Sequence, residues 1–236
     1  MRTGIVLVDF DNATKISKLG IAPRQNDVNR LVDQLVFNCT DTLYDQNVHF
    51  EELQFLFYSG WHNEECNQFT DLYFMLKNYI DQTSKRYKKT RLRFKVPLGL
   101  AARPEASLLH TKRQHSGVRV YRPKTSSTCI GGGPCLMHEI IQIRKKSKCP
   151  RAICDHVLES LIVYHEQKTV DTHIVCDLIT YSCEKDIAFL SLVSDDDDFV
   201  PGLIQASLNI KDIVWVRQKK VSRYDDLLTD IIIINI

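Results

Sequence analysis

The stretch Gly4-Ile5-Val6-Leu7-Val8-Asp9 sets a short apolar run directly before a carboxylate. Such a run of β-favouring residues predicts a strand that is buried on both faces, as strands in parallel sheets are. Ile187 to Val193 repeats the pattern far along the chain, and aspartates soon follow it as well. A carboxylate at the end of a buried strand is costly unless a cation, a basic partner or solvent compensates it. Both runs therefore predict strand ends that carry chemistry.

Between and beyond these two runs, apolar residues recur at strand spacing and at helix spacing in turn. Buried strands that alternate with amphipathic helices indicate an α/β domain with a central, mostly parallel sheet, whose ligands collect at the carboxyl ends of the strands. The predicted strands are 4–8, 53–58, 118–121, 187–193, 213–216 and 231–234, and the predicted helices are 27–37, 69–79, 170–181 and 200–208.

The chain has 236 residues, of which 44% are apolar and 25% charged, and this suits a single globular domain over residues 1–236. The first apolar run is too short for a signal-peptide core, and no run approaches the length of a membrane span. We therefore expect a cytoplasmic protein without a membrane partner. Self-association is left open.

Charge is divided sharply along the sequence. Between Lys85 and Arg151, eighteen Lys or Arg residues stand against two acids, although the whole chain has a net charge of only +2. This predicts a basic surface for a polyanion beside an acidic surface for cations. A solvated basic face is the alternative. Because the segment also departs from the strand and helix rhythm, we expect residues 84–155 to be a basic, cysteine-containing insertion within the domain.

One stretch of this segment, Lys85 to Lys95, interleaves Tyr87 and Phe94 with seven cations. Cations would bind phosphates with salt-dependent affinity, and aromatic rings could stack on unpaired bases. The alternative is a basic edge strand that its lysines keep from pairing. The residues predicted to contact nucleic acid are Lys85, Arg86, Lys88, Lys89, Arg91, Arg93, Arg122 and Lys168.

Four cysteines in the predicted insertion could bind structural zinc, although their spacing is wider than is usual for zinc sites. His138 or His156 could replace one thiolate, and ordinary unpaired thiols or a disulfide are the alternatives. Cys176 and Cys183, in a predicted helix, are expected to be buried core thiols. The four candidate zinc ligands are Cys129, Cys135, Cys149 and Cys154.

Three acidic segments carry the functional prediction. They are Asp9-Phe10-Asp11-Asn12, then Lys168-Thr169-Val170-Asp171, then Ser194 followed by the four aspartates 195–198. If the strands before them are neighbours, several carboxylates converge, and their repulsion disfavours full ionisation unless a divalent cation neutralises them. Carboxylate oxygens with water suit Mg²⁺ or Mn²⁺. The alternative for residues 195–198 is an exposed turn with a helix cap.

The same three segments, in this order and at these separations, resemble the NYN branch of the PIN-like nucleases. That family shows an apolar strand ending in Asp-x-x-Asn, a Lys-x-Val-Asp helix start, and Ser-Gly-Asp-x-Asp-Phe-x-Pro. The resemblance covers the start of the chain and roughly residue 167 onward. Asp195 stands where the family usually has Gly, so a turn that prefers positive φ would be strained there. The matching residues are Asp9, Asn12, Lys168, Asp171, Ser194, Asp196, Asp198, Phe199 and Pro201.

This resemblance implies a PIN-like three-layer fold and a ribonuclease that hydrolyses phosphodiester bonds with metal-activated water, with RNA favoured over DNA. It implies that Asn12 orients water or phosphate. Asp11, Ser194 and Asp177 are expected to support the site. The metal ligands would be Asp9, Asp171, Asp196 and Asp198.

Two other functions fit parts of the sequence. One is a nucleic-acid-binding module of the same fold without catalytic activity. The other is a phosphatase of the haloacid-dehalogenase type, in which Asp9 attacks phosphorus and Asp11 acts as the acid. The phosphatase leaves Asp171 and the basic segment without a role.

Overall fold

The computed structural model describes residues 2–16, 23–46, 48, 50–64, 66–83, 86–106, 108–116, 163–210, 212–217, 222 and 224–235. The strands are β1 (Thr3–Asp9), β2 (Glu52–Tyr58), β3 (His62–Asn63), β4 (Gln68–Phe69), β5 (Arg86–Tyr87), β6 (Thr90–Lys95), β7 (Thr111–Ser116), β8 (Val163–Lys168), β9 (Ile187–Val193), β10 (Ile213–Arg217) and β11 (Ile232–Asn235). The helices are α1 (Phe10–Ile16), α2 (Gln25–Asp45), α3 (Asp71–Gln82), α4 (Val170–Ser182) and α5 (Val200–Ser207).

A seven-stranded sheet forms the centre of the fold, in the order β11-β10-β9-β1-β2-β6-β5. Neighbouring strands from β11 to β6 are parallel, and β5 at the edge is antiparallel to β6. The predicted α/β class with a central, mostly parallel sheet is therefore confirmed. From β1 the chain builds outward through β2 and β6 on one side, and later through β9, β10 and β11 on the other. The order reverses between β1 and β9.

The two faces of β1 belong to two separate cores. Val6 and Val8 pack in a cluster with apolar residues of α2 and α3, whereas Ile5 and Leu7 pack in a cluster with α4 and α5. All four side chains are essentially inaccessible to water. A strand covered by helices on both faces needs apolar residues at every position, which explains the unbroken run after Gly4.

The chain divides into two compact units, residues 1–111 with 167–236, and residues 112–166. The predicted start of the insertion at residue 84 was wrong, because β5 and β6 belong to the central sheet. Leu92 of β6 is buried while Arg91 and Arg93 are exposed, so this basic stretch does alternate as a strand, but β6 pairs with β2 on one side and with β5 on the other, and the predicted unpaired edge strand was wrong. The predicted strand 118–121 and the residues Lys85, Arg122, Cys129, Cys135, His138, Cys149, Cys154 and His156 lie outside the described residues.

The prediction for the thiols of α4 was wrong. Cys176 and Cys183 are both exposed, because α4 buries the opposite side through Ile174, Leu178 and their neighbours. In the part of the chain that the structure describes, no helix is both long and apolar enough to cross a membrane.

Gly4 lies where β1 passes under an aromatic ring of the adjacent strand. It pairs with Phe189, and a Cβ atom added to Gly4 would overlap that ring, which is itself buried and packed near Phe50. We expect Gly4→Ala to lower the free energy of unfolding by about 1–3 kcal/mol, as overpacking of a core does. Chemical denaturation measures this.

The matched control is the same substitution beside a smaller side chain. In a Phe189→Leu background, Gly4→Ala is expected to cost less, because the overlapping ring atoms are gone. An equal cost in both backgrounds would contradict the overlap as the cause.

Candidate active site

The candidate site lies at the carboxyl edge of the sheet, where the strand order reverses between β1 and β9. Val8 pairs with Val193, so Asp9 and Ser194 emerge side by side at the ends of the two strands. In open α/β sheets, ligands bind in the crevice that forms at the carboxyl ends of the strands where the strand order reverses. The sequence placed both acidic motifs at strand ends, and the topology makes the two strands direct neighbours.

Asp9 is held by two hydrogen bonds. Its Oδ1 accepts from the backbone N–H of Asn12 at 3.1 Å, and its Oδ2 accepts from the hydroxyl of Ser194 at 2.9 Å. Only 4% of Asp9 is exposed. The short helix α1 starts at Phe10, and this turns the amide of Asn12 back toward the carboxylate. Asp9 is thereby fixed in orientation.

Burial raises the pKa of Asp9 from its ordinary value of 3.8 to about 7. The hydrogen bonds from Asn12 and Ser194 oppose this shift, while the negative charges of Asp171 and Asp11 add to it. Asp171 is exposed in the first turn of α4. The residue before α4, Thr169, has a positive φ of 68°, a rare conformation for a non-glycine residue.

The acidic loop after β9 is tied to β1 through its backbone. The amide of Asp195 donates to Asn12 Oδ1 at 3.1 Å, and the amide of Asp196 donates to Ser194 Oγ at 3.2 Å. Asp195 is buried and does not have a positive φ, so the strain expected from replacing Gly is not present. Asn12 and Ser194 thus connect Asp9 to the loop.

The four predicted metal ligands differ in their surroundings. Asp9 is buried, Asp196 is half-buried, and Asp171 and Asp198 are exposed. Asp196 caps the short 3₁₀ turn Asp197–Phe199, and its Oδ1 accepts from the amide of Asp198 at 3.0 Å. The alternative of an exposed turn with a cap is therefore right about the cap, whereas Asp195 is buried and, of the four aspartates, only Asp198 is exposed. As a cap, the carboxylate of Asp196 is directed toward the backbone amide of Asp198 two residues later.

Within the described residues, no group of three or more carboxylate, imidazole or thiol side chains is placed so that it could bind one metal ion. The expected convergence of all four carboxylates is therefore not seen in this arrangement. Asp9 and Asp171 are nonetheless coupled by charge, and Asp9 is a buried carboxylate that a cation would compensate. Mg²⁺ keeps several waters and is commonly bound by one or two carboxylates. Asp9 and Asp171 are two carboxylates between which an interaction of charges is found.

Asp11 and Asp177 have structural contacts. The hydroxyl of Ser59 donates to Asp11 Oδ1 at 2.7 Å, and the amide of Gly60 approaches Oδ2 at 3.4 Å, which joins the ends of β1 and β2. Asp177, buried in α4, accepts from the hydroxyl of Tyr58 at 2.7 Å. It also accepts from the amides of Ala101 and Ala102 at 2.7 and 3.0 Å. Asp177 thus fastens the loop after β6 to α4.

The basic stretch uses several of its side chains to hold the sheet edge together. Lys88 pairs with Asp41 of α2 at 2.5 Å, and Tyr87 stacks on Phe37 with ring centroids 4.6 Å apart. Arg91 and Arg93 lie 3.6 and 2.9 Å from Glu52 Oε2, whose side chain is only 3% exposed. Lys89 is exposed. Lys168 is the last residue of β8, and its side chain is not among the described parts of the structure.

Sequence reasoning did not single out a buried imidazole pair near this edge. His110 and His173 stack with centroids 4.7 Å apart, and burial lowers the pKa of His110 to about 3, so it is neutral. Tyr58 lies beside this pair, 5.5 Å from His110 between centroids. His173 sits one turn before Asp177 on α4, a spacing that could have suggested a shared buried face.

No family model, no curated protein and no solved structure matches this chain.

The raised pKa of Asp9 predicts a pH-dependent stability in the absence of metal. The carboxyl group of Asp9 keeps its proton up to about pH 7 in the folded chain, but only up to about pH 3.8 in the unfolded chain. The free energy of unfolding therefore falls as the pH rises from about 3.8 to about 7. Asp9→Asn removes the buried charge. In EDTA at pH 8 we expect the variant to be more stable than wild type by up to about 4 kcal/mol, and the difference to shrink toward pH 4.

Urea unfolding at several pH values measures this difference. Asp81→Asn, at an exposed position of α3, is the matched control and should show no such pH dependence. A difference between Asp9→Asn and wild type that stays constant from pH 4 to pH 8 would contradict the assignment.

Proposed function

We propose that this chain is a metal-dependent nuclease of the NYN branch of the PIN-like nucleases, with the PIN-like three-layer fold, and that it hydrolyses phosphodiester bonds of RNA. One observation carries the proposal. Asp9 is a buried carboxylate at the switch point of a parallel sheet, with the charge of Asp171 beside it. A carboxylate in that position is costly without a cation. The preference for RNA over DNA comes from the family resemblance.

Each residue of the site has a role in this proposal. Asp9 and Asp171 would hold Mg²⁺ or Mn²⁺, with Asp196 and Asp198 as the further carboxylates. When bound, the ion would make water more acidic and stabilise the leaving oxygen of the phosphodiester. Ser194 keeps Asp9 in one orientation by donating to Oδ2.

Asn12 has a donor left for substrate. Its side-chain oxygen accepts from the amide of Asp195, so its NH₂ group can donate to a water or to a phosphate oxygen. The exposed cations of β6 and of the preceding turn would hold the polyanion by charge. Structural zinc on the four cysteines of residues 129–154 remains a prediction from the sequence.

The non-catalytic nucleic-acid-binding module is the second candidate. It is favoured by one observation, the use of the Asp196 carboxylate as a cap, with Oδ1 accepting from the amide of Asp198 at 3.0 Å. The phosphatase is disfavoured, because both oxygens of Asp11 accept hydrogen bonds from Ser59 and Gly60. A general acid at that position would have to donate a proton instead.

Cleavage assays separate these functions. We expect labelled single-stranded RNA to be cut in Mn²⁺ or Mg²⁺ and not in EDTA, and Asp9→Asn to lower the rate by roughly 100-fold or more, because a ligand to the ion is lost. Asp196→Asn should also lower it. Asp81→Asn is the matched control, with a rate near wild type.

The other outcomes identify the alternatives. Tight RNA binding without cleavage in either metal would favour the non-catalytic module. Release of phosphate from a phosphomonoester, with the RNA left intact, would indicate the phosphatase. Equal cleavage of single-stranded DNA would remove the preference for RNA.

The basic edge predicts a salt-dependent affinity. Lys89 and Lys95 are exposed on and beside β6, and replacing both with Gln removes two phosphate contacts in the proposed complex. We expect the plot of log affinity against log salt to lose about 1.4 in slope for single-stranded RNA. Lys185→Gln with Lys77→Gln, two exposed lysines elsewhere, is the control. An unchanged slope would place the RNA on another surface.

A further inference from the structure

The basic stretch of β5 and β6 contains two aromatic residues, and their surroundings differ. Phe94 packs with aromatic residues of β2, its ring centroid 5.9 and 6.4 Å from those of Phe55 and Phe57. Tyr87, at the edge of the sheet, has a partner from outside the basic stretch. Its ring stacks on Phe37 of α2, with the centroids 4.6 Å apart and the planes 27° apart. Tyr87 and Phe37 therefore form an aromatic pair at the β5 edge of the sheet.

The Tyr87 ring is held in one orientation. Its hydroxyl donates to Asp41 Oδ2 at 3.0 Å, and the Nζ of Lys88 lies 5.4 Å from the centroid of the ring. Lys88 also pairs with Asp41 at 2.5 Å. The stack is thereby preformed, and a ligand that extends it does not have to order these side chains first.

Phe37 is the more exposed member of the pair. It is 38% exposed, whereas the residue before it on α2, Val36, is buried. An exposed aromatic ring with a fixed partner behind it offers a π-face for stacking. Every nucleobase has a π-face of its own, and such stacking requires that the base is not paired inside a duplex. An unpaired base is therefore the kind of group that fits on Phe37.

Exposed cations lie next to the pair. Arg86 and Lys88 are the neighbours of Tyr87 in sequence, and Lys89 follows in the turn between β5 and β6. All three are exposed. A base that stacks on the pair would bring its phosphates close to these side chains, which attract a polyanion.

The acids of α2 near Phe37 have partners. Asp33 and Asp41 stand four residues before and after it, which is one helical turn away on the same face. The hydroxyl of Tyr79 donates to Asp33 Oδ1 at 2.7 Å, and Lys88 pairs with Asp41. The three exposed cations of the turn outnumber these two acids. The charge of this surface is therefore complementary to a polyanion.

The aromatic pair lies away from the candidate active site along β6. Tyr87 pairs with Thr90, the first residue of β6, and β6 runs parallel to β2 and β2 parallel to β1. Thr90 and Lys95, the two ends of β6, are roughly 16 Å apart at the usual rise of a strand. Asp9 lies at the opposite edge of the sheet from Thr90. A nucleic-acid strand that reaches from the pair to Asp9 has to span several nucleotides, roughly five at about 3.4 Å each.

We propose that Phe37 and Tyr87 form a stacking platform for an unpaired base of single-stranded RNA, with Arg86 and Lys89 binding the adjoining phosphates. The platform rests on the proposed function and deepens it, because it makes a single strand, and not a duplex, the substrate class. A duplex presents phosphates to the same cations but keeps its bases inside. The tertiary structure creates the platform, since Phe37 and Tyr87 belong to distant elements.

Binding in EDTA, measured by fluorescence anisotropy with labelled oligonucleotides, tests the platform without cleavage. We expect Phe37→Leu to weaken the binding of a single-stranded RNA of about ten nucleotides by about fivefold or more, because the ring face is lost while the apolar bulk stays. The affinities for a duplex of the same length and for an abasic strand, which has phosphates without bases, should change by less than about twofold. Phe37→Trp keeps a ring and should retain the affinity of wild type.

Phe74→Leu is the matched control, because Phe74 lies on α3 outside the pair and is 58% exposed. It should leave the affinity for single-stranded RNA unchanged. Lys89→Gln gives a different signature, a smaller slope of log affinity against log salt, whereas Phe37→Leu lowers the affinity with the slope unchanged. Tyr87→Leu removes the ring behind Phe37 and should act in the same direction, which provides a second variant should Phe37→Leu fail to fold.

The outcomes separate the platform from the proposed function. The platform is overturned if Phe37→Leu leaves the affinity unchanged, if the duplex or the abasic strand loses as much, or if Phe74→Leu has the same effect. It is also overturned if wild type binds no single-stranded RNA. If RNA is bound through Phe37 but is not cut in Mn²⁺ or Mg²⁺, the proposed nuclease fails and the platform stands.

Discussion

The burial of Asp9 at the end of a strand covered on both faces is the constraint on which the site depends. Water reaches little of this carboxylate, and within the part of the chain that the structure describes its hydrogen-bond donors are the amide of Asn12 and the hydroxyl of Ser194. Both groups come from segments that directly follow strands β1 and β9. The adjacency of those strands therefore fixes the orientation of the carboxylate, and a bound cation would further stabilise its ionised form.

The architecture of the sheet places this carboxylate where polar groups are expected. Because helices cover both faces of the sheet, the central strands are apolar at nearly every position, and polar groups gather at their carboxyl ends. On one side of Asp9, Asp11 fastens the end of β1 to the start of the loop after β2. On the other, Ser194 and Trp215 connect β9 to β10. The acidic loop is a continuation of the sheet, and it is organised by the strands around it.

Patterns that depend on near neighbours were predictable. The strand before Asp9, the strand before Ser194 and the helix from Val170 follow from apolar spacing alone, and their observed bounds agree closely. Patterns that depend on distant partners were not. Cys176 lies in an apolar helix and Cys183 directly follows it, yet both are exposed, and which side of α4 is buried is decided by the sheet that it meets. The same holds for the basic residues of β6, which are exposed on either side of the buried Leu92 because the strand pairs with β2 and β5 in the central sheet.

The sequence by itself determined that this chain has an α/β fold, that its carboxylates follow buried strands, and that its charge is divided into basic and acidic parts. Those properties reside in local spacing and composition. The tertiary structure decided which groups each carboxylate contacts. Asp9 accepts from Asn12 and Ser194, Asp177 accepts from Tyr58 and two amides, and Asp197 accepts from Ser222. Such pairings depend on strand order and on the burial of each group, and neither is encoded in the spacing of residues along the chain.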